Sequence, residues 1–211
     1  MNEELKIPGI VTRVPLIRGL SLYFRCKMQT MKLNVGALLL SVVTVGVLTL
    51  SSSQSVAQSK GYERRLDSLG IRLFAPQKPK ANYVKAVRVG NLIFLAGHGS
   101  AKENGDIVAG RVGGDLTLEQ GMDAARTSTI SLLSTLKAEI GTLNNVKRIV
   151  HVTGWVNSTA DFREHSKVMN GCSDLLIAVF GENGLHARSS VGASSLPNNF
   201  VTEIEMIVEV K

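Results

Sequence analysis

The chain has 211 residues, of which 44% are hydrophobic, 19% charged and 5% aromatic. That suits one domain of about 150 residues with an appendage, and it excludes both intrinsic disorder and a polytopic membrane protein. The formal charge of +7 is uneven: residues 1–57 contribute +4 and the rest only +3, so the body carries no basic stripe for nucleic acid. Two cysteines, Cys26 and Cys172, are too few for a disulfide scaffold or a cysteine-based zinc site.

Residues 33–50 are apolar and uncharged, with Arg25, Lys27 and Lys32 ahead of them. Ser55-Val56-Ala57 then has the small-x-small form that signal peptidase accepts. This order predicts a signal peptide over 31–57 and a periplasmic or secreted protein. Eighteen residues also just reach across a bilayer, so an uncleaved anchor is the alternative and a buried core helix a third reading. Asn34, Gly36, Ser41, Thr44, Gly46 and Thr49 weaken the anchor reading; membrane association follows only if the signal stays uncut. Residues 1–30 form an extension whose start is open between Met1, Met28 and Met31.

Residues 58–80 are a lead-in, helical over 59–70 up to Gly70 and a Pro/Lys-rich linker over 75–80. Residues 81–211 form the domain. Strands are predicted at 83–89 and 91–96 around a Gly90-Asn91 turn. The six glycines of 97–114 predict a loop with at most one strand. Thr117 and Gln120 have capping-box spacing. Leu118, Met122, Ala125, Leu132, Leu136 and Ile140 continue the helix to Gly141. The β-branched run 146–156 predicts a strand. Asp161 with Glu164 predicts a second capped helix, whose apolar face is Phe162, Met169, Cys172, Leu176 and Val179. Two strands close the chain, 187–193 and 200–210, joined through Pro197. In the last, Phe200, Ile204, Met206, Val208 and Val210 share one face and Glu203, Glu205 and Glu209 the other. The order is that of an α+β fold, a mixed sheet backed by two helices around one core.

No P-loop, GxGxxG, HExxH, GxSxG or CxxC occurs. His98, His151, His165 and His186 fall in separate elements and predict no metal site. Asn157-Ser158-Thr159 is a glycosylation sequon of a kind common by chance. Arg188 opens one strand, and Glu203 lies on the non-core face of the next. If those strands form a hairpin, the two side chains approach. A guanidinium fork suits a carboxylate, and a neighbouring acid can orient water or exchange a proton. On residue types alone, an ordinary cross-strand ion pair worth about 0–1 kcal/mol is the plainer reading.

Residues 81–211 resemble the Rid family (YjgF-like, reactive intermediate deaminase A and relatives). The likeness is carried by Asn82-Tyr83-Val84, the run from Gly90-Asn91-Leu92 to Gly97, Gly114-Asp115-Leu116-Thr117 and Val146-Lys147-Arg148-Ile149-Val150. The C-terminal part is Arg188-Ser189-Ser190-Val191, Leu196-Pro197 and Glu203-Ile204-Glu205. Gly154-Trp155-Val156-Asn157-Ser158 and Asn170-Gly171-Cys172-Ser173-Asp174 place it nearest a poorly characterised branch.

The resemblance implies a chorismate-mutase-like fold assembled as a homotrimer with clefts between protomers. It implies hydrolysis of reactive enamines and imines to 2-keto acids and ammonia, without cofactor or metal. Arg188 then matches the arginine that grips a substrate carboxylate, and Glu203 the acid beside the water. Tyr83, Asn170, Ser190 and His98 stand at substrate-binding positions. Two departures are Ser190, where the family often has Cys, and Ala96-Gly97-His98 in place of Ser-Gly-Gln. His98 reads either as a polar contact or, more plainly, as an exposed loop histidine. Trp155 reads as core or interface packing. The alternative function is a non-catalytic trimer that binds a small carboxylate in the same cleft.

Overall fold

The structure, a computed structural model, describes residues 61–79 and 81–211. The N-terminal extension, the expected signal peptide over 31–57, Cys26 and the first residues of the lead-in lie outside the described residues. Helix α1 (Tyr62–Ser68) buries Tyr62 and Leu66, four residues apart and therefore on one face. The Tyr62 ring meets Phe180 edge-on, with centroids 4.9 Å apart. Glu63 accepts a hydrogen bond from Thr142 Oγ1 at 2.9 Å and pairs with Lys137 at 3.4 Å. The lead-in helix thus belongs to the domain core, with its cut-off set by Gly70 at φ +66°.

Strands β1 (Ala86–Val89) and β2 (Leu92–Gly99) form the expected hairpin about Gly90. β2 runs on through Gly97, His98 and Gly99, where a loop was expected, because a register shift between Leu95 and His98 keeps it paired. Helix α2 (Leu118–Ile140) has both halves of its capping box, Gln120 N–H to Thr117 Oγ1 and Thr117 N–H to Gln120 Oε1. Strand β3 (Val146–Asn157) follows. The second helical region departs from expectation. It begins at His165 rather than Asp161, and it is split into α3 (His165–Val168) and α4 (Asn170–Phe180), with no side-chain cap on either. Asp161 bonds Thr159 instead, a local side-chain partner that competes with the helical role.

The chain ends with β4 (Ala187–Ala193) and β5 (Thr202–Val210), and the sheet order is β1-β2-β5-β3-β4. β4 and β5 do not form the expected hairpin. β4 pairs parallel with β3 at the sheet edge, and β5 pairs antiparallel with both β2 and β3 in the centre. The reason is burial. β5 alternates fully buried Ile204, Met206 and Val208 with half-buried residues, so its apolar face needs neighbours on both sides. β4 is small, polar and largely exposed, a composition suited to an edge. The α3–α4 region supplies the long crossover that a parallel pair requires.

Helices α2 and α4 cover one face of the sheet, where Ile93, Ile149, Val152, Leu132, Leu136, Leu176 and Val179 are buried together. The opposite face carries no covering element among the described residues. Val87 and Phe94 remain 51% and 40% exposed there, and Trp155 stands directly opposite Glu203.

Candidate functional site

At the β2 bulge lies a cleft of about 500 Å3, bounded by Tyr83, Lys85, Gly97, Asn198, Phe200 and Glu203 among others. Glu203 is placed by β5, whose alternation turns Ile204 into the core and Glu203 out of it. Gly97 is what lets the acid lie against β2: a Cβ there would fall 2.3 Å from Glu203 Oε1. Burial, and then the negative charge of Glu205, raises the pKa of Glu203. Such an acid is suited to exchanging a proton nearer neutrality than an ordinary carboxylate. Tyr83 lies on the cleft wall, 48% exposed.

His98 faces the other way. Its side chain is 2% exposed, so it is not an exposed loop histidine. Nδ1–H donates to Ala96 O at 2.7 Å, which leaves Nε2 to accept from Thr135 Oγ1–H at 2.7 Å. Burial holds its pKa down to about 4. A neutral ring with both nitrogens engaged is a core element and offers no free polar atom to a ligand.

Arg188 is not in this cleft. In register it sits opposite Val152, and Ser190 opposite Gly154, so both project toward the helices. Nη1 donates to Asn170 Oδ1 at 3.1 Å and to Ser173 Oγ at 2.9 Å; Nη2 donates to Ser166 O at 3.1 Å. Ser173 in turn shares a 3.0 Å hydrogen bond with His186 Nε2, whose Nδ1–H donates to Gly184 O. Helix α4 thus holds the guanidinium in a fixed orientation at the sheet edge. Ser190 Oγ, beside it, is buried without a hydrogen-bond partner among the described residues. Cys172 is buried in α4, and its thiol is pushed up to about 11 by that burial, which makes it inert. Asn157, of the sequon, is buried and donates to Gly110 O and Asn199 Oδ1.

The expected residues therefore form two groups. Tyr83 and Glu203 meet at the cleft on one side, and Arg188, Asn170 and Ser190 cluster on the helix side. Two contributors escaped the sequence reading. Ser173 lies three residues beyond Asn170, so both reach the same guanidinium from one helix face. Lys85 lies two residues beyond Tyr83, a spacing that places them together on extended chain.

Fold and site together define an α+β protein with two helices on one face of a five-stranded sheet and a carboxylate-bearing cleft at the bulge of its second strand. The chain belongs to the family described as "YjgF/chorismate_mutase-like, putative endoribonuclease", whose family model matches residues 63–210. It is 38% identical over 157 residues to "Protein TCP17" of Trypanosoma cruzi, covering 74% of this chain and 98% of that one. It is 28% identical over 138 residues to a "2-iminobutanoate/2-iminopropanoate deaminase" of Dermatophagoides farinae, covering 65% and 91%. Among solved structures, a "putative endoribonuclease" of Shewanella oneidensis superposes with a TM-score of 0.69. It is 29% identical, with 72% of this chain and 100% of that one covered.

Proposed function

We propose that the protein is a Rid-type hydrolytic deaminase that converts enamines and imines to 2-keto acids and ammonia in clefts between copies of the chain. One observation carries the reading: Glu203 and Arg188 are each well placed but on opposite faces of one sheet. A single chain therefore cannot use both on one small ligand. A second copy laid against the uncovered sheet face can bring its own Arg188 to the Glu203 cleft, and a closed trimer repeats that contact three times. The deaminase named among the relatives supports the chemistry.

In this reading Arg188 of one copy holds the carboxylate of a 2-imino acid, and Tyr83 of the other bounds the cleft. Glu203 takes a proton from water as the water oxygen bonds to the imine carbon. That proton passes to nitrogen, giving a carbinolamine; the hydroxyl proton then moves through Glu203 to the nitrogen as the C–N bond breaks, so that ammonia leaves and the carbonyl forms. The gain comes from holding acid, water and substrate in one geometry. Export through the segment over 31–57 is part of the proposal, and N-terminal sequencing of the exported protein tests it by locating a start at Gln58.

The test of the chemistry is release of ammonia and keto acid from freshly generated 2-aminoacrylate or 2-iminobutyrate. Arg188→Ala is expected to lose about a hundredfold or more, and Arg188→Lys to recover little because the planar fork is gone. A wild type that binds small carboxylates through Arg188 yet releases no ammonia would establish the non-catalytic alternative. The internal hydrogen bonds of Arg188 to Ser166, Asn170 and Ser173 fix the guanidinium for either reading, so only the release of ammonia separates the two.

A further inference from the structure

Lys85 stands in the wall of the Glu203 cleft and is half-buried. The ion pairs of the described residues are Lys137–Glu63, Lys147–Glu209 and Lys167–Glu164; none involves Lys85. Glu139, which lines an adjoining groove with Lys85, makes no ion pair with it. Nor does Glu203, the acid in the same wall. An ammonium drawn partly out of water with no counter-charge is poorly solvated, and burial holds Lys85 below the usual lysine range. An anion entering the cleft would restore what the ammonium lacks. Lys78 lines the same cleft and adds to the positive side of its wall. The volume of about 500 Å3 lies within the range of small-molecule sites and has room for a ligand with two charged ends.

We infer that Lys85 binds a second anionic group of the ligand, so that the cleft prefers 2-imino acids with an acidic side chain to those with a neutral one. This deepens the deaminase reading and rests on it for one point, the placing of the first carboxylate at Arg188 of a second copy. The charge-assisted hydrogen bond from Lys85 is then made only by the dianion, and it sets a preference of about tenfold.

Calorimetric titration with two product-like acids, 2-oxoglutarate and 2-oxobutyrate, reads this directly. The wild type is expected to bind 2-oxoglutarate about tenfold more tightly. Lys85→Gln brings the ratio near one, while Lys85→Arg keeps most of it. Lys85 contributes its backbone carbonyl to the hairpin whatever its side chain, and thermal melting confirms that each variant is folded. Equal affinities in the wild type, no binding of either acid, or a preference that survives Lys85→Gln would overturn the inference. Failure of the Arg188 placement shows differently, as binding of both acids that Arg188→Ala leaves intact, and failure of catalysis as an unchanged preference with no ammonia released from the imino acids.

Discussion

His98 takes a role opposite to its residue type's usual one, because the β2 bulge turns it inward to Thr135. Its ring stays neutral in the fold down to about pH 4, whereas in the unfolded chain it takes up a proton near 6.5. Between these values the unfolded state binds more protons. The contribution is therefore complete above pH 6.5 and is lost as the pH falls to 4. It amounts to roughly 3 kcal/mol. Urea unfolding at pH 7 and pH 4.5 should show that loss, and His98→Gln should flatten it. Glu203 yields a second prediction. Because Glu205 helps to raise its pKa, Glu205→Gln should move the acid limb of the pH–rate profile to lower pH. Gly97→Ala pushes the Glu203 carboxylate aside; activity should drop about tenfold or more while the melting temperature changes little, since the displaced atoms end a flexible side chain.

At the scale of elements, the contact between α2 and α4 is set by one glycine. A Cβ on Gly171 would lie 2.0 Å from the backbone oxygen of Met122. That oxygen cannot swing away as a side chain would, so Gly171→Ala must part the helices. A cost of about 1–3 kcal/mol is expected in denaturant titrations. Loosening α4 also frees Asn170 and Ser173, so the same variant should weaken carboxylate binding through Arg188. Most of these elements were legible in the sequence. The Thr117–Gln120 box and Gly141 bound α2, and the alternation of β5 shows its buried side. The split of the second helical region at Met169 was not legible, nor was its late start, because the capping pattern at Asp161 competes with a Thr159 bond seen only in three dimensions.

For the whole molecule, the uncovered sheet face predicts self-association. Light scattering should report a trimer, and Phe94→Asp, which puts a charge on that face, should reduce it to monomers and abolish activity. A sharper outcome follows from the divided site. Arg188→Ala and Glu203→Gln proteins, each inactive alone, should recover up to about a quarter of wild-type activity when mixed oligomers form, since some clefts then join two intact halves. A site contained in one chain would recover nothing.

The sequence by itself determined the α+β class and most of the strand and helix order, because period and caps are local properties. It could also suggest Arg188 and Glu203 as a pair. Only the tertiary structure decided that they lie on opposite faces of one sheet. Strand order depends on which apolar faces can be buried together, a balance struck across the whole chain and invisible in any one segment. A central β5 and an edge β4 are the result, with a candidate site split in two by the sheet between them.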